Sequence, residues 1–221
     1  TGDTTLSALL PELERAFSGW KAAQAPAKKI QAVPATAGKR VYLIDRPGAP
    51  QSVIVAAHVS EPGGHPEDLA IETVMRNFGG IATSRMNRNL RLDKHWSYGT
   101  TALLQDARGQ RPFVVIAPVQ TDKTKESMVE VMKQFKGITG PIPVTPDELA
   151  VAQDAMTRTL PGQWETQGAV SGSIADLVVF GLPDDYYTTF PGKVRAITPP
   201  QVDANAKKTL TPDKMVWVVA G

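Results

Sequence analysis

Between Gly79 and Gly99 the chain must pass from a helix to a strand through one dense stretch, and that passage limits what can lie on either side of it. Gly79-Gly80 closes a helical pattern, and Thr83 or Ser84 can cap a new helix by accepting bonds from its free N–H groups. Met86 and Leu90 fall four residues apart on one face, while Arg85, Arg88, Arg91 and Lys94 recur every third residue along a basic flank. After Lys94 the pattern changes to Trp96-Ser97-Tyr98-Gly99-Thr100-Thr101-Ala102-Leu103-Leu104, whose aromatic and β-branched content predicts a strand. Arg91 and Tyr98 therefore face a common turn, where a guanidinium and a phenol could both donate to the carbonyls of an extended peptide. Spacing by itself favours a blander account, with Arg91 ending a solvated face and Tyr98 half-buried in a strand.

The rest of the chain supplies a framework for that junction. Leu6, Leu9, Leu10, Leu13 and Phe17 have helical spacing, and an Ala/Pro/Lys-rich linker follows up to Lys39. Arg40 to Asp45 and Gln51 to Val59 are strand patterns around the turn Arg46-Pro47-Gly48-Ala49-Pro50, together predicting a hairpin. Glu67 to Phe78 is helical. Thr100 to Gln105 and Phe113 to Val119 predict a second hairpin, followed by a helix from Thr121 to Phe135. Thr145-Pro146-Asp147-Glu148 has a cap, a proline at the first helical position and a carboxylate at the capping-box position. Further helices are expected to about Leu160, from Gln163 to Phe180, from Asp185 to Phe190 and from Gln201 to Leu210, before a last strand at Met215 to Ala220. Strands with inserted helices, then helices, then a strand predict an α+β fold: a mostly antiparallel sheet with helices on one face. The expected organisation is one domain, 1–221, with residues 1–39 as helix and linker and 40–221 as the body.

Composition narrows the function. The 221 residues carry 24 Lys and Arg against 22 Asp and Glu, a formal charge of +2, which gives no reason to expect nucleic acid or a membrane surface as partner. No apolar run approaches the roughly 20 residues that span a bilayer. Without cysteine there is neither a disulfide nor a thiolate metal site. A start lacking Met and an end inside the apolar run from Met215 lead us to expect a piece of a longer polypeptide. The compartment is left open.

Complete catalytic sets are missing. His58-Val59-Ser60-Glu61 begins like the helical zinc motif H-x-x-E-H, but Pro62 stands where the second His belongs and the context is a strand, so no zinc site is expected. His65 beside Pro66 fits a surface turn, and His95 a helix end. Ser171-Gly172-Ser173 lacks the nucleophile-elbow pattern, Gly63-Gly64 lacks the phosphate-loop lysine, and Asp184-Asp185-Tyr186-Tyr187 is accounted for as a helix start.

Taken together, Gly79-Gly80, Ser84-Arg85-Met86-Asn87, Asn89-Leu90-Arg91, Lys94 and Ser97-Tyr98-Gly99 resemble a pattern in which G-G-x-x-x-S-R-L-x-x-x-L-R precedes a Tyr seven residues after the Arg. This is a signature of the C-terminal-type, non-zinc domain of the pitrilysin/insulinase-like zinc metallopeptidases, the inverzincins. Lys125-Glu126, Pro141-Ile142-Pro143-Val144-Thr145-Pro146-Asp147-Glu148-Leu149 and the ending Asp213 to Gly221 agree, so the resemblance runs from about Val41 to Gly221. It implies the fold of the mitochondrial processing peptidase domains and a divided site. A sister domain or chain bears H-x-x-E-H and zinc, while this domain holds no cofactor and is inactive alone. Arg91 and Tyr98 then hold the substrate peptide and its oxyanion. Bacterial relatives with signal peptides imply a periplasmic placement. The alternative is a structural member of the superfamily, like the core proteins of respiratory cytochrome bc complexes. Leu92, where an acidic residue is common, and Trp96, where Gly or another aromatic is common, depart from the pattern and bear on peptide preference.

Overall fold

A computed structural model describes the chain except Thr1, Ala22, Lys28, residues 64–66 and Arg108. The surface-turn reading of His65 thus lies outside the described residues. In chain order the elements are α1 (Leu6–Ala16), β1 (Arg40–Ile44), β2 (Gln51–Pro62) and α2 (Asp68–Met75), which runs into a π turn at Arg76–Gly80. Next come α3 (Arg85–Asn87), a second π turn at Arg88–Asp93, β3 (Thr101–Leu104), β4 (Gln110–Gln120) and α4 (Thr124–Ile138). The chain continues through α5 (Pro146–Arg158), α6 (Leu160–Gln163), α7 (Gln167–Phe180), α8 (Tyr186–Arg195), α9 (Pro199–Thr209) and β5 (Val216–Ala220).

Two compact units result. The larger comprises Ala32–Thr157 and Tyr187–Gly221, the smaller Thr1–Gln31 and Arg158–Tyr186. The larger contains an α+β fold whose five strands run in the order β1-β5-β2-β4-β3. All pairings are antiparallel except β1 with β5. The expected antiparallel sheet with helices on its inner face is present, and the β3–β4 hairpin forms as predicted. The β1–β2 hairpin does not, because β5 lies between them. The turn itself exists, with Gly48 at φ 80° and the Ala49 N–H bonded to the Arg46 carbonyl at 3.0 Å. Its loop is long enough to skip a strand position, and the wholly apolar β5, with Trp217 and Val219 buried, gains more from an inner place than β1, which begins with Arg40.

Inward side chains of the sheet meet the helices around an aromatic cluster. Phe78 lies 4.5 Å from Phe135 and 6.3 Å from Phe113 between ring centroids, and all three are fully buried. Gly79 is what allows the first π turn to approach β3. A Cβ there would lie 2.6 Å from the Ala102 Cβ and 2.8 Å from its backbone nitrogen. Its φ is not in the left-handed region, so the glycine serves close approach rather than a left-handed helix cap. Arg111 is almost fully buried, donating to Asp68 at 2.8 Å and to the Glu61 carbonyl at 3.1 Å, and so ties β4 to the start of α2.

The α5 start behaves as the sequence predicts. Glu148 accepts from the Thr145 N–H at 2.9 Å, and the Thr145 hydroxyl accepts from the Glu148 N–H at 3.2 Å. The same carboxylate takes Arg85 in a fork, Nε at 2.7 Å and Nη2 at 2.6 Å, and Arg85 also donates to the Ile142 and Pro143 carbonyls. Arg85 therefore leaves the solvated basic flank assigned from its spacing and clamps α3 to α5.

In the smaller unit, Thr5 caps α1 through the Ala8 N–H at 3.2 Å, and Thr166 caps α7 through Ala169. Gly181, at φ 66°, ends α7, with the Leu182 N–H reaching back to the Leu177 carbonyl. The interruption expected at Pro161-Gly162 falls inside α6, and the break comes after Gln163.

Two stability measurements test this account. Gly79→Val forces the π turn off β3 and is expected to cost about 2–3 kcal/mol in urea unfolding, whereas Gly172→Ala in α7, where a Cβ meets nothing within 4 Å, is expected to add up to about 1 kcal/mol. Burial is the largest influence on Glu148 and raises its pKa, but the Arg85 and Thr145 bonds outweigh it and hold the carboxyl below its ordinary 4.5. A carboxylate depressed in the folded state stabilises above its unfolded pKa, so this contribution is lost as pH falls below about 4.5. The expected result is that Glu148→Gln lowers stability by about 2 kcal/mol at neutral pH and loses that component of acid sensitivity; an unaltered pH profile would assign the acid sensitivity to other groups.

Candidate functional site

The segment from Ser84 to Thr100 forms the site's frame. Ser84 is the N-cap of α3, accepting from the Asn87 N–H at 3.4 Å. The expected single α-helix to Lys94 instead widens after Asn87 into the π turn, with the Lys94 N–H reaching the Asn89 carbonyl at 3.0 Å. Such bulges redirect side chains and are frequent at functional sites. Met86 and Leu90 are fully buried, as their spacing predicts.

The strand expected from Trp96 begins only at Thr101. Residues 94–100 are held by bonds that a strand could not make. The Trp96 and Ser97 N–H groups both donate to the Leu90 carbonyl, at 2.9 and 3.2 Å, and the Trp96 carbonyl accepts from Gln120 N–H at 2.9 Å. His95 turns the chain in the left-handed region, φ 57°, a conformation more accessible to His than to most residues. Its Nδ1–H donates to the Arg91 carbonyl at 3.1 Å.

Two buried polar side chains finish the frame. The Asn87 amide donates to the Ile81 and Thr100 carbonyls at 3.0 and 3.1 Å, while its Oδ1 accepts from the Thr100 N–H at 2.7 Å and hydroxyl at 3.2 Å. Ser97 donates to the Pro118 carbonyl at 2.5 Å and accepts from the Gly99 N–H at 3.1 Å. Tyr98 stands between these anchors. Its side chain is 87% exposed, which contradicts the half-buried strand position.

Arg91 is also exposed, and neither its guanidinium nor the Tyr98 hydroxyl has a hydrogen-bond partner among the described residues. Leu92, next to Arg91 in sequence, is 53% exposed. Arg88 is solvated, and Lys94 places its ammonium 5.4 Å from the Trp96 ring centroid. Asn87 and Ser97 lie within the signature stretch, but the sequence reading gave neither of them a role. An amide within a helical run and a hydroxyl between two aromatics are the signals that could have found them, since both residue types prefer local backbone bonds.

The other motifs resolve structurally. His58 lies on the inner face of β2, stacked on Phe113 at 4.9 Å, with Nδ1 near the Val59 carbonyl at 3.2 Å. Burial is the main cause that lowers its pKa, with a backbone bond opposing and the Lys214 charge adding. Glu61 faces Lys208 at 3.1 Å instead of a metal. Among the described residues no group of three His, Cys, Asp or Glu could hold a metal ion. Ser173 accepts from the Trp164 indole at 2.9 Å. Among the same residues no helix is long and apolar enough to cross a membrane.

Comparison with known proteins places this frame in a family. A family profile described as the peptidase M16 inactive domain matches residues 1–156. Among solved structures, a peptidase M16 inactive domain from Pseudomonas fluorescens superposes with a TM-score of 0.85 at 22% identity, covering 100% of this chain and 52% of that one. A protease from Helicobacter pylori gives 0.80 at 14% identity, with 99% and 53% covered. A chain of complex III2 from Candida albicans gives 0.77 at 15% identity, with 100% and 53% covered. At these identities the likeness is one of fold, and this chain spans about half the length of each. No curated protein matches it. The extent of the profile match shows that the chain belongs to the peptidase M16 inactive-domain family.

Proposed function

We propose that this chain is the substrate-binding, non-zinc half of a two-part zinc metallopeptidase that hydrolyses peptide bonds, inactive alone, with Arg91 and Tyr98 as the groups that hold the peptide. The observation that carries this reading is the contrast between frame and tip. Asn87, Ser97 and Thr100 are buried and bonded, while the Arg91 and Tyr98 side chains they position are exposed and unpartnered among the described residues. A stabilising role for a tyrosine would bury its ring; this one is offered to a ligand.

The two groups can do complementary work. The Arg91 guanidinium is permanently charged and can donate to two backbone carbonyls at once. The Tyr98 hydroxyl can donate to the scissile carbonyl oxygen and would bind it more strongly as negative charge develops there. Fixing His95 in a left-handed turn and tying residues 96–100 to Leu90, Asn87 and Pro118 removes motions that would otherwise be lost on binding.

No group of three His, Cys, Asp or Glu among the described residues could hold a zinc ion, and in this proposal the metal and its H-x-x-E-H ligands belong to a sister domain or partner subunit. The periplasm is the proposed compartment by resemblance alone. A second reading, a non-catalytic structural domain, is favoured by the likeness to a complex III2 chain. Retention of an exposed Arg91 and Tyr98 counts toward the peptidase.

Kinetics with an H-x-x-E-H companion half separates the two. Tyr98→Phe and Arg91→Ala are each expected to lower kcat/KM by about 10²-fold with unfolding midpoints unchanged; kinetics equal to those of the unsubstituted protein would overturn the assignment of both residues. The isolated chain is expected to bind no stoichiometric zinc and to cleave no peptide, and tight stoichiometric zinc by metal analysis would overturn the division of labour.

A further inference from the structure

The tip that bears Arg91 and Tyr98 carries more charge than gripping a peptide backbone requires. Its exposed positions are Arg88, residues 91–95 and Tyr98, and they set the cations Arg88, Arg91 and Lys94 against one acid, Asp93. Among the described residues none of these three cations forms an ion pair, whereas Lys39, Arg76, Arg85 and Lys207 stand against Asp213, Glu72, Glu148 and Asp203 at 2.6–2.9 Å. Glu130 of α4 reaches the same π turn, yet it accepts from the Asn89 amide at 2.8 Å and meets Lys133 rather than an arginine. Leu92 lies four residues after Arg88, where a carboxylate could offset a helical arginine, and leucine brings no charge.

These charges act together because the segment is closed on itself. The Thr100 N–H bonds Asn87, the Trp96 and Ser97 N–H groups bond Leu90, and His95 bonds the Arg91 carbonyl. From Arg88 to Lys94 the chain rises about 9 Å at helical spacing, comparable with the screening length of about 8 Å at physiological salt. A ligand held at Arg91 therefore feels all three positive charges. The Lys94 ammonium rests 5.4 Å from the Trp96 ring centroid, and its attraction to the indole face narrows its range. One sign of charge gathered on a rigid tip draws a partner of the other sign.

We infer that the substrates of this site are acidic peptides, with Asp or Glu side chains flanking the residue whose backbone Arg91 holds and their carboxylates met by Arg88 and Lys94. The inference rests on the reading of Arg91 and Tyr98 as the substrate-holding pair, and it adds the side-chain chemistry that a pair addressing only backbone leaves unspecified. Arg88 and Lys94 each lie three residues from Arg91, one on either side in sequence. Exposed ion pairs are individually weak, so the selection is a bias of severalfold rather than an absolute requirement. A peptide is favoured over a nucleic acid because the cations are confined to this tip while the whole chain carries a formal charge of only +2.

Kinetics of the two-half enzyme on one neutral peptide tests this, with each position near the scissile bond changed in turn from Gln to Glu. At low salt at least one Glu peptide is expected to exceed its Gln counterpart by about fivefold in kcat/KM, and about 0.5 M NaCl is expected to erase the difference. Arg88→Gln with Lys94→Gln is expected to bring that ratio close to one. Arg88→Gln by itself, which leaves the Trp96 contact intact, is expected to bring it to about twofold. Equal rates for Gln and Glu at every position, or a preference that survives the double variant, would overturn the inference, as would a single-stranded oligonucleotide that inhibits at concentrations below the KM of the Glu peptide. Tyr98→Phe and Arg91→Ala separate it from the reading beneath it. If they slow the Gln and Glu peptides alike and no Glu preference exists, the substrate-holding pair stands and the acidic preference falls; if they slow neither, the pair falls and takes this inference with it.

Discussion

The bonds of one amide hold together the part of this protein on which its proposed function rests. Asn87 sits at the point where α3 widens into a π turn, and its side chain joins Ile81 before the helix to Thr100 after the loop. Each of those backbone groups is buried or nearly so, where an unmet donor or acceptor costs roughly 1–3 kcal/mol. A hydrophobic side chain of similar size could fill the space but would leave Thr100 unsatisfied. Because Asn offers both a donor and an acceptor, it satisfies the start of β3 and the loop before α3 together, and the position of Tyr98 follows from it.

The same economy governs how the helices approach the sheet. Gly79 brings the first π turn within contact of Ala102, and that closeness lets Phe78 reach Phe113 and Phe135. Arg85 then fixes the far side of α3 to α5 through a carboxylate that is also a helix cap. Glycine, asparagine and arginine thus do three different things in one short segment: they permit approach, satisfy backbone and clamp a neighbouring helix. Between Arg85 and Tyr98, what stays exposed after those jobs are done is Arg88, residues 91–95 and Tyr98, with Arg91 and Tyr98 among them. Rigidity beneath and freedom at the tip are what a group that must bind a passing peptide backbone requires.

Much of this was legible from local pattern. The Thr145–Glu148 cap, the Ser84 cap, the burial of Met86 and Leu90 and the β3–β4 hairpin depend on neighbours close in sequence, and spacing captures such neighbours well. The readings that changed depend on distant partners. Arg85 looked solvated because its carboxylate lies 63 residues away. The segment from Trp96 looked like a strand because its composition suits one, yet its N–H groups are claimed by Leu90. The β1–β2 hairpin was drawn from adjacency, and adjacency could not show that β5, from the other end of the chain, would enter between them.

The sequence by itself determined the α+β class, the family signature and the two side chains, Arg91 and Tyr98, on which a functional reading could be built. Periodicity and capping are local, and a signature needs only residue types at fixed spacing. Only the tertiary structure decided that Tyr98 is exposed rather than packed, that Arg85 is structural, and that β5 enters between β1 and β2. Those facts depend on which strands pair, in which register, and which buried polar groups find partners across the fold, and no stretch of chain carries that information alone.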